Sequence, residues 1–197
     1  MRIAARSLGF CSVVLALCSA VVAADLEPVP VAGGVATLSP ANTKIEFVGT
    51  HSGDKPDPRT GGFGKFTGAV TVNPASKTVT AITADIDTAS LQTPLPKLTD
   101  HLKTADFFEV REYPAARFQS TAIKADKAGA VEVTGKLTLH GVTKEISFPA
   151  KTQVTDKGVT LVSQFSINRS EFGMTYGQGK IDDKVSLTVV VGQPSGK

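Results

Sequence analysis

Apolar and polar residues alternate with a period of two along most of the chain after residue 43. In the clearest case, AVEVTGKLTLH (130–140), a polar or charged residue separates each of the apolar positions Val131, Val133, Gly135, Leu137 and Leu139. Successive side chains of a β-strand point to opposite faces, so the pattern predicts strands with one buried face and one wet face.

The same alternation recurs in seven other segments, which are KIEFVG (44–49), KFTGAVTVN (65–73), TVTAITADIDTASL (78–91), RFQSTAIKA (117–125), VTKEISFPA (142–150), VTLVSQFSIN (159–168) and VSLTVVVG (185–192). About eight strands are therefore expected, and Thr and Val, which favour strands, dominate them. Short turns join them and helices do not alternate with them, which argues against a parallel sheet. The pattern predicts an antiparallel barrel or sandwich and does not decide between these.

One interval breaks this rhythm and predicts a short helical connection near residues 96–107. It has prolines near its start and apolar residues at helical spacing, at Leu95, Leu98, Leu102 and Ala105. Phe107 and Phe108 lie at the end of this connection. Two consecutive aromatic residues in a turn cannot both face one core, so one is expected to seat the helix and the other to reach a cavity mouth or a neighbouring loop.

The first 24 residues predict a secretory signal peptide, and hence a periplasmic or secreted protein. Arg2 and Arg6 precede an uncharged run that ends in small residues, with cleavage expected after Ala24. The purely apolar part of this run is shorter than the roughly 20 residues of a membrane span, so no integral span is expected after cleavage. Both cysteines lie in the signal, so the exported chain relies on packing and hydrogen bonds. Residues 25–35, rich in Pro and Gly, predict a linker.

Several functional classes lack support in the sequence. No Lys/Arg-rich block or phosphate-cradling Gly motif occurs, which argues against nucleic acid as a partner. The histidines, His51, His101 and His140, have no metal-ligand spacing, so neither a metal nor a cofactor is expected. An enzyme using the Asp182-Asp183 pair or a histidine-centred site is a weak alternative, and no catalytic residue is assigned.

Three long motifs carry a resemblance to a known family. They are DHLKTADFFEVREYPAARFQST (100–121), VTGKLTLHGVTKEISFPA (133–150) and NRSEFGM (168–174), in this order. Together they resemble the YceI-like, polyisoprenoid-binding family of exported bacterial proteins, over a domain of residues 36–192. The resemblance implies a lipocalin-like antiparallel barrel of eight strands that holds an isoprenoid chain, such as a quinone tail, along its axis. It also implies homodimers in some members and no enzymatic activity.

The expected function is therefore non-covalent sequestration or transport of an isoprenoid, quinone-type or similar amphiphilic lipid. Alternation and motif positions predict the cavity lining, and Phe107-Phe108 is expected to form an apolar lid over one end of the barrel. The predicted ligand-binding residues are Phe47, Phe66, Val70, Ile86, Phe107, Phe108, Phe118, Val133, Leu137, Ile146, Phe148, Phe165, Leu187 and Val189.

Two features leave the lipid hypothesis open. Small residues such as Gly68, Ala84, Ser120 and Gly135 on the inward faces leave room for a ligand, although the same mixture of sizes can fill a tapered core. Residues 49–68 are polar and rich in Gly and Pro, unlike the corresponding run in many relatives, and predict a long, mobile loop. The alternative function is an internally packed barrel that acts in envelope stress or protein interaction through its loops or a dimer face.

Overall fold

A computed structural model of the chain describes residues 26–53, 55–125 and 130–192. The predicted signal peptide, residues 1–24, lies outside these described residues. Most of the described chain is β-strand, which confirms the predicted all-β class. In chain order its elements are β1 (Val35–Leu38), β2 (Thr43–His51), β3 (Asp57–Phe63), β4 (Phe66–Asn73), β5 (Thr78–Asp87), β6 (Leu91–Gln92), α1 (Pro96–Leu102), β7 (Ala115–Ala125), β8 (Ala130–Leu139), β9 (Val142–Thr155), β10 (Gly158–Asn168) and β11 (Lys184–Val191).

The described residues form eleven strands rather than the predicted eight, because the chain bends within three of the barrel strands and each of these is counted as two. β1 pairs with β4 while β2, which continues the same run of chain, pairs with β3. In the same way β4 pairs with β5 while β3 pairs with β6. When each bent pair is counted once, eight positions remain. All pairs are antiparallel, and the pairing of β11 with β2 closes the ring.

The bend between β3 and β4 lies beside the bend between β5 and β6. A 3₁₀ turn, Thr88–Ser90, separates β5 from β6, and the Asp87 carboxylate accepts a hydrogen bond from the Ala89 backbone N–H at 3.0 Å. The Gly64 N–H, between β3 and β4, donates to the Ser90 carbonyl oxygen at 3.1 Å. Neighbouring strands thus bend together, and the barrel stays hydrogen-bonded through the corner.

The prediction of a long loop over residues 49–68 is wrong, because β2 extends through His51 and β3 forms within the interval. β3 pairs with β2 from Glu46↔Gly62 to His51↔Asp57. Gly61 permits this pairing, since a Cβ there would overlap the ring of Phe47 across the strand pair. These hydrogen bonds to β2 are long-range, and the polar composition of β3 does not reveal them.

The predicted helical connection is present as α1, which ends at Leu102 and continues as turns through Phe108. Pro96 occupies the first turn, where a missing backbone N–H costs nothing. Within the described residues, no helix has the length and apolar character needed to cross a bilayer. Before β1, in the segment expected to be a linker, Val29 is buried and forms a β-bridge with Val159.

The barrel interior divides into a packed half and a hollow half. The packed half holds the largest hydrophobic cluster, which includes Val70, Val133, Phe148 and Val159. Two smaller clusters, one around Phe47 and Phe107 and the other around Leu139 and Phe172, border the hollow half. α1 and the turns after it contribute Leu102, Phe107 and Phe108 to these two clusters. The helical connection therefore belongs to the hollow half.

Candidate ligand-binding cavity

The hollow half of the barrel contains a cavity with an almost entirely apolar surface. It has about 1070 Å³ of empty space when the solvent at its mouth is included, and about 150 Å³ is open to the centres of water-sized spheres. The volume of about 150 Å³ is some ten times the roughly 10–15 Å³ that a single water needs. An apolar lining nevertheless offers a water few hydrogen-bond partners. The cavity is suited to an apolar guest.

Alternation on the strands places the lining residues of the barrel wall. Ile45, Phe47, Val185 and Leu187 come from the paired strands β2 and β11, with Phe47 directly opposite Leu187. β8 adds Leu137 and Leu139. Residues at i and i+2 of a strand share a face, so β8 and β11 each contribute two consecutive inward positions. On β2 the same face continues through Gly49 to His51.

The turn after α1 brings Phe107 and Phe108 to the cavity from different sides. Its backbone is fixed by hydrogen bonds from Phe107 N to Thr104 O at 3.1 Å and from Phe108 N to Leu102 O at 3.0 Å. The ring of Phe108 contacts Phe47 and Phe63, at centroid distances of 6.1 and 5.9 Å.

The ring of Phe107 instead faces outward aromatic neighbours. It packs edge-on against His101 at 5.1 Å and Tyr176 at 5.4 Å. Both phenylalanines line the cavity. Phe108 is thus joined to the barrel wall and Phe107 to the rim, an arrangement in which the helical connection covers one side of the cavity.

Apart from Arg169, which is buried, the polar side chains of the lining lie where β2 and β3 meet the solvent. Thr50 and His51 are at the end of β2, Arg59 is at the start of β3, and Thr93 follows β6. His51 is exposed, and the Arg59 side chain, ion-paired with Asp57, is 42% exposed. This edge is the mouth of the cavity, so a guest molecule would keep a polar end here and an apolar end inside.

Arg169 anchors the wall that faces α1. It is buried, and its Nη1 donates to the Met174 carbonyl oxygen at 2.8 Å, Nε to that of Asp182 at 3.1 Å and Nη2 to that of Ile181 at 3.2 Å. Hydrogen bonds from a charged donor are about twice as strong as neutral ones. The guanidinium therefore helps to hold the chain around Met174 and Ile181, which line the cavity. A β-bridge to His51 on β2 also holds Ile181.

The structure places some of the predicted ligand-binding residues in the cavity lining and others outside it. Those that line the cavity are Phe47, Ile86, Phe107, Phe108, Leu137 and Leu187. Those that lie outside its lining are Phe66, Val70, Phe118, Val133, Ile146, Phe148, Phe165 and Val189. A binding role for either group stays a prediction.

Other lining residues were not predicted. Ile45 and Val185 share the inward face with Phe47 and Leu187, so strand alternation was sufficient to find them. Leu98 and Leu102 lie on the apolar face of α1, which the helical spacing had indicated. Met174 and Ile181 belong to irregular chain positioned by Arg169, and no periodic signal marks them.

The polar groups considered for catalysis have separate partners. His101 Nε2 lies 2.7 Å from Asp106 Oδ2, and His140 Nδ1 lies 3.1 Å from the Phe172 carbonyl oxygen. Asp182 accepts a hydrogen bond from the Ser52 hydroxyl. Across residues 26–53, 55–125 and 130–192, no group of three or more His, Cys, Asp or Glu residues is placed to hold a metal ion.

Phe108→Ala is expected to weaken binding of an apolar ligand about tenfold. It should also lower the free energy of unfolding by about 2 kcal/mol, which is less than the loss for a fully buried phenylalanine because Phe108 is half-buried. Probe displacement and urea unfolding measure the two effects. Leu95→Ala, an exposed position before α1 outside the lining, is the matched control and should change neither. Unchanged binding and stability in Phe108→Ala would contradict the lid role.

Comparisons with known proteins agree with this architecture. A model of the YceI-like domain matches residues 37–192. A UPF0312 protein of Pseudomonas putida is 42% identical over 90 residues, 46% of this chain and 47% of the relative. A UPF0312 protein of Vibrio cholerae is 36% identical over 91 residues, 46% of this chain and 48% of the relative. The chain thus spans about half the length of the curated relatives it matches.

Solved structures share the fold over more of the chain. BcnA of Burkholderia cenocepacia superposes with a TM-score of 0.68 at 26% identity, covering 76% of this chain and 94% of that one. A polyisoprenoid binding domain from Saccharophagus degradans, implicated in plant cell wall breakdown, has a TM-score of 0.60 at 18% identity, covering 80% and 96%, a likeness that shows the fold alone. Because the family model matches most of the chain, the resemblance seen in the three motifs is confirmed, and the protein belongs to the YceI-like domain family.

Proposed function

We propose that the protein binds an isoprenoid, quinone-type or similar amphiphilic lipid non-covalently in the hollow half of its barrel. The observation that carries this proposal is the apolar cavity, which is closed by α1 on one side and has its polar side chains at the mouth, except for the buried Arg169, whose guanidinium is bonded to three carbonyl oxygens. A lipid would lie with its tail against Phe47, Leu137 and Leu187 and its headgroup near His51 and Arg59. The activity is sequestration or transport, without catalysis.

Simple energetics support a binding mode without specific polar contacts. Burial of apolar carbon contributes roughly 0.8 kcal/mol per CH₂, so a five-carbon isoprene unit gains about 4 kcal/mol before losses. Ordering a flexible chain offsets part of this gain. A few units are then sufficient for tight binding, which is consistent with a lining that is nearly all hydrocarbon.

The solved domain from Saccharophagus degradans supports the ligand class, since it is described as polyisoprenoid binding and has the same fold. Membership of the YceI-like family is consistent with a binding protein. The sequence pattern of residues 1–24 supports export, and we extend the proposal to a periplasmic or secreted site of action.

Organic extraction of the exported protein, purified from the bacterial periplasm, tests the proposal. Mass spectrometry of the extract is expected to find an isoprenoid or similar lipid in stoichiometric amount, because the cavity buries the tail away from water. An unrelated exported protein purified in the same way gives the background. Only background lipid, together with no uptake of added farnesol, would reject the proposed function.

The packed half of the barrel favours a second candidate to a lesser degree. Its cluster around Val133 and Phe148 is what an internally packed interaction protein would have throughout its interior. Such a protein would act in envelope stress through its loops or a dimer face, and its extract would carry no stoichiometric lipid. The same extraction therefore separates the two candidates.

A further inference from the structure

The cavity ends partway along the barrel although the inward-facing positions continue. On β8, Leu137 lines the cavity and Val133 lies in the packed half; on β10, Ile167 lines it and Phe165 does not. On both strands the cavity lining gives way to the packed half within one or two inward positions. An internal boundary therefore crosses the barrel.

Three aromatic residues, here called the aromatic plug, occupy this boundary: Phe118, Phe148 and Phe165. Phe148 and Phe165 stack with centroids 4.2 Å apart and planes 11° apart, and Phe118 packs on Phe148 at 5.4 Å. None of the three lines the cavity. Phe118 follows the lining residue Ala116 by two positions, as Phe165 precedes Ile167, so the plug is the next inward layer.

Gly135 makes room for the plug. A Cβ at this position would lie 2.5 Å from Phe118 Cζ, so the ring of Phe118 occupies space that any other residue would fill with its own side chain. Gly135 and Ser120 are paired across β8 and β7, next to the pair of Phe118 with Leu137. At Gly135, one of the small residues that left room for a ligand, an aromatic ring thus fills the space.

The strand geometry gives the depth of the cavity. β2 lines it at Ile45, Phe47, Gly49 and His51, from the interior to the mouth. This interval corresponds to about 20 Å of strand at roughly 3.3 Å per residue, and to about 15 Å along the axis for a usual strand tilt. A bilayer has a hydrocarbon core of about 30 Å, so the cavity is as deep as one leaflet.

We propose that the aromatic plug limits the ligand to one apolar chain about as long as a single bilayer leaflet, and excludes a long polyprenyl tail threaded through the whole barrel. This inference rests on the proposed function, of which it names the ligand class. The polar end of the ligand stays at the mouth near His51 and Arg59. Its far end stops against Phe118 and Phe165.

A length series of isoprenoid alcohols tests the limit. Geraniol, farnesol, geranylgeraniol and solanesol, in order of length, compete with a fluorescent apolar probe for the full chain. Affinity is expected to rise about tenfold or more with each added unit while the cavity fills. It should then stop rising, so that solanesol gains nothing over geranylgeraniol.

Variants of the aromatic plug test whether these residues cause the affinity to stop rising with chain length. Phe118→Ala and Phe165→Ala are each expected to move the plateau to longer alcohols, because the space they open is continuous with the cavity. Leu161→Ala, buried in the same packed half and two inward positions beyond Phe165, is the matched control and should leave the plateau where it is. Phe165→Leu, a milder truncation, gives the same comparison if the alanine variants do not fold.

The outcomes distinguish the two proposals. Affinity that keeps rising to solanesol in the natural chain, or a plateau that no plug variant moves, would overturn the length limit while leaving lipid binding intact. No binding of any alcohol would defeat the proposed function itself, and the length limit with it. A plateau that shifts in plug variants but not in Leu161→Ala supports both.

Discussion

Leu187→Asp is expected to reduce the affinity for an apolar lipid by at least about a thousandfold, since leaving an ionised carboxylate without water or a partner costs several kcal/mol. Leu187 lies between Phe47 on β2 and Phe165 on β10, so the carboxylate would face the cavity near its deep end. Aspartate is too short to reach the solvent at the mouth. A bound tail would remove the last water from the carboxylate, and the variant should therefore be purified without lipid.

Ser186→Asp is the matched control for this change. Ser186 is the adjacent residue of β11, is exposed, and lies on the outer face of the barrel, since neighbouring residues of a strand point to opposite faces. The same charge there should leave lipid content and probe binding unchanged. Thermal unfolding of both variants reports whether the barrel still forms. A folded Leu187→Asp protein that retains stoichiometric lipid would show that the tail does not occupy this cavity.

The barrel itself was predictable from the sequence because its main signal is local. In β8 the residues Val131 and Val133 are buried and Glu132 is exposed, as the alternation requires. Strand alternation identifies which face of each strand is inward, and short turns make sequential strands neighbours. These rules yield an antiparallel all-β fold, while the three motifs, through the family they resemble, decided for a barrel.

The distance to which the cavity extends along the barrel was not predictable in the same way. Leu137 and Val133 have the same alternation on one strand, but only Leu137 lines the cavity. Whether an inward residue faces open space depends on side chains from other strands at the same level. Phe118 fills the space over Gly135 from the neighbouring strand, so the shape of the cavity depends on residues of different strands, which the alternation within one strand does not reveal.

Strand β3 was missed for a related reason. Its residues Asp57 to Phe63 have no apolar alternation, and Pro58 argues against a strand. Pro58 is tolerated because β6 pairs only with Gly62 and Phe63, so the early part of β3 has β2 as a neighbour on one side. Pairing with β2, rather than intrinsic preference, makes this segment a strand. The mouth residue Arg59 therefore lies on a paired strand rather than on a mobile loop.

Arg169→Met is expected to lower the free energy of unfolding by about 3–5 kcal/mol, because three carbonyl oxygens lose a charged donor and a buried acceptor left unsatisfied costs roughly 1–3 kcal/mol. Methionine approximates the length of the arginine stem, so the loss reflects the hydrogen bonds to Met174, Ile181 and Asp182 rather than a large cavity. Urea unfolding followed by circular dichroism measures the change. Arg169→Lys should recover only part of it, since an ammonium lacks the planar fork that reaches all three carbonyls.

Arg117→Met provides the matched control, because Arg117 is 67% exposed and pairs with Asp85 on the surface of the barrel. Surface ion pairs contribute about 0–1 kcal/mol, so this variant should unfold almost as the natural chain does. Arg169→Met should also weaken ligand binding, since Met174 and Ile181 line the cavity and lose their hydrogen bonds from the guanidinium. A variant Arg169→Met with normal stability and normal probe binding would mean that the cavity wall is held by its apolar contacts, with the buried guanidinium contributing little.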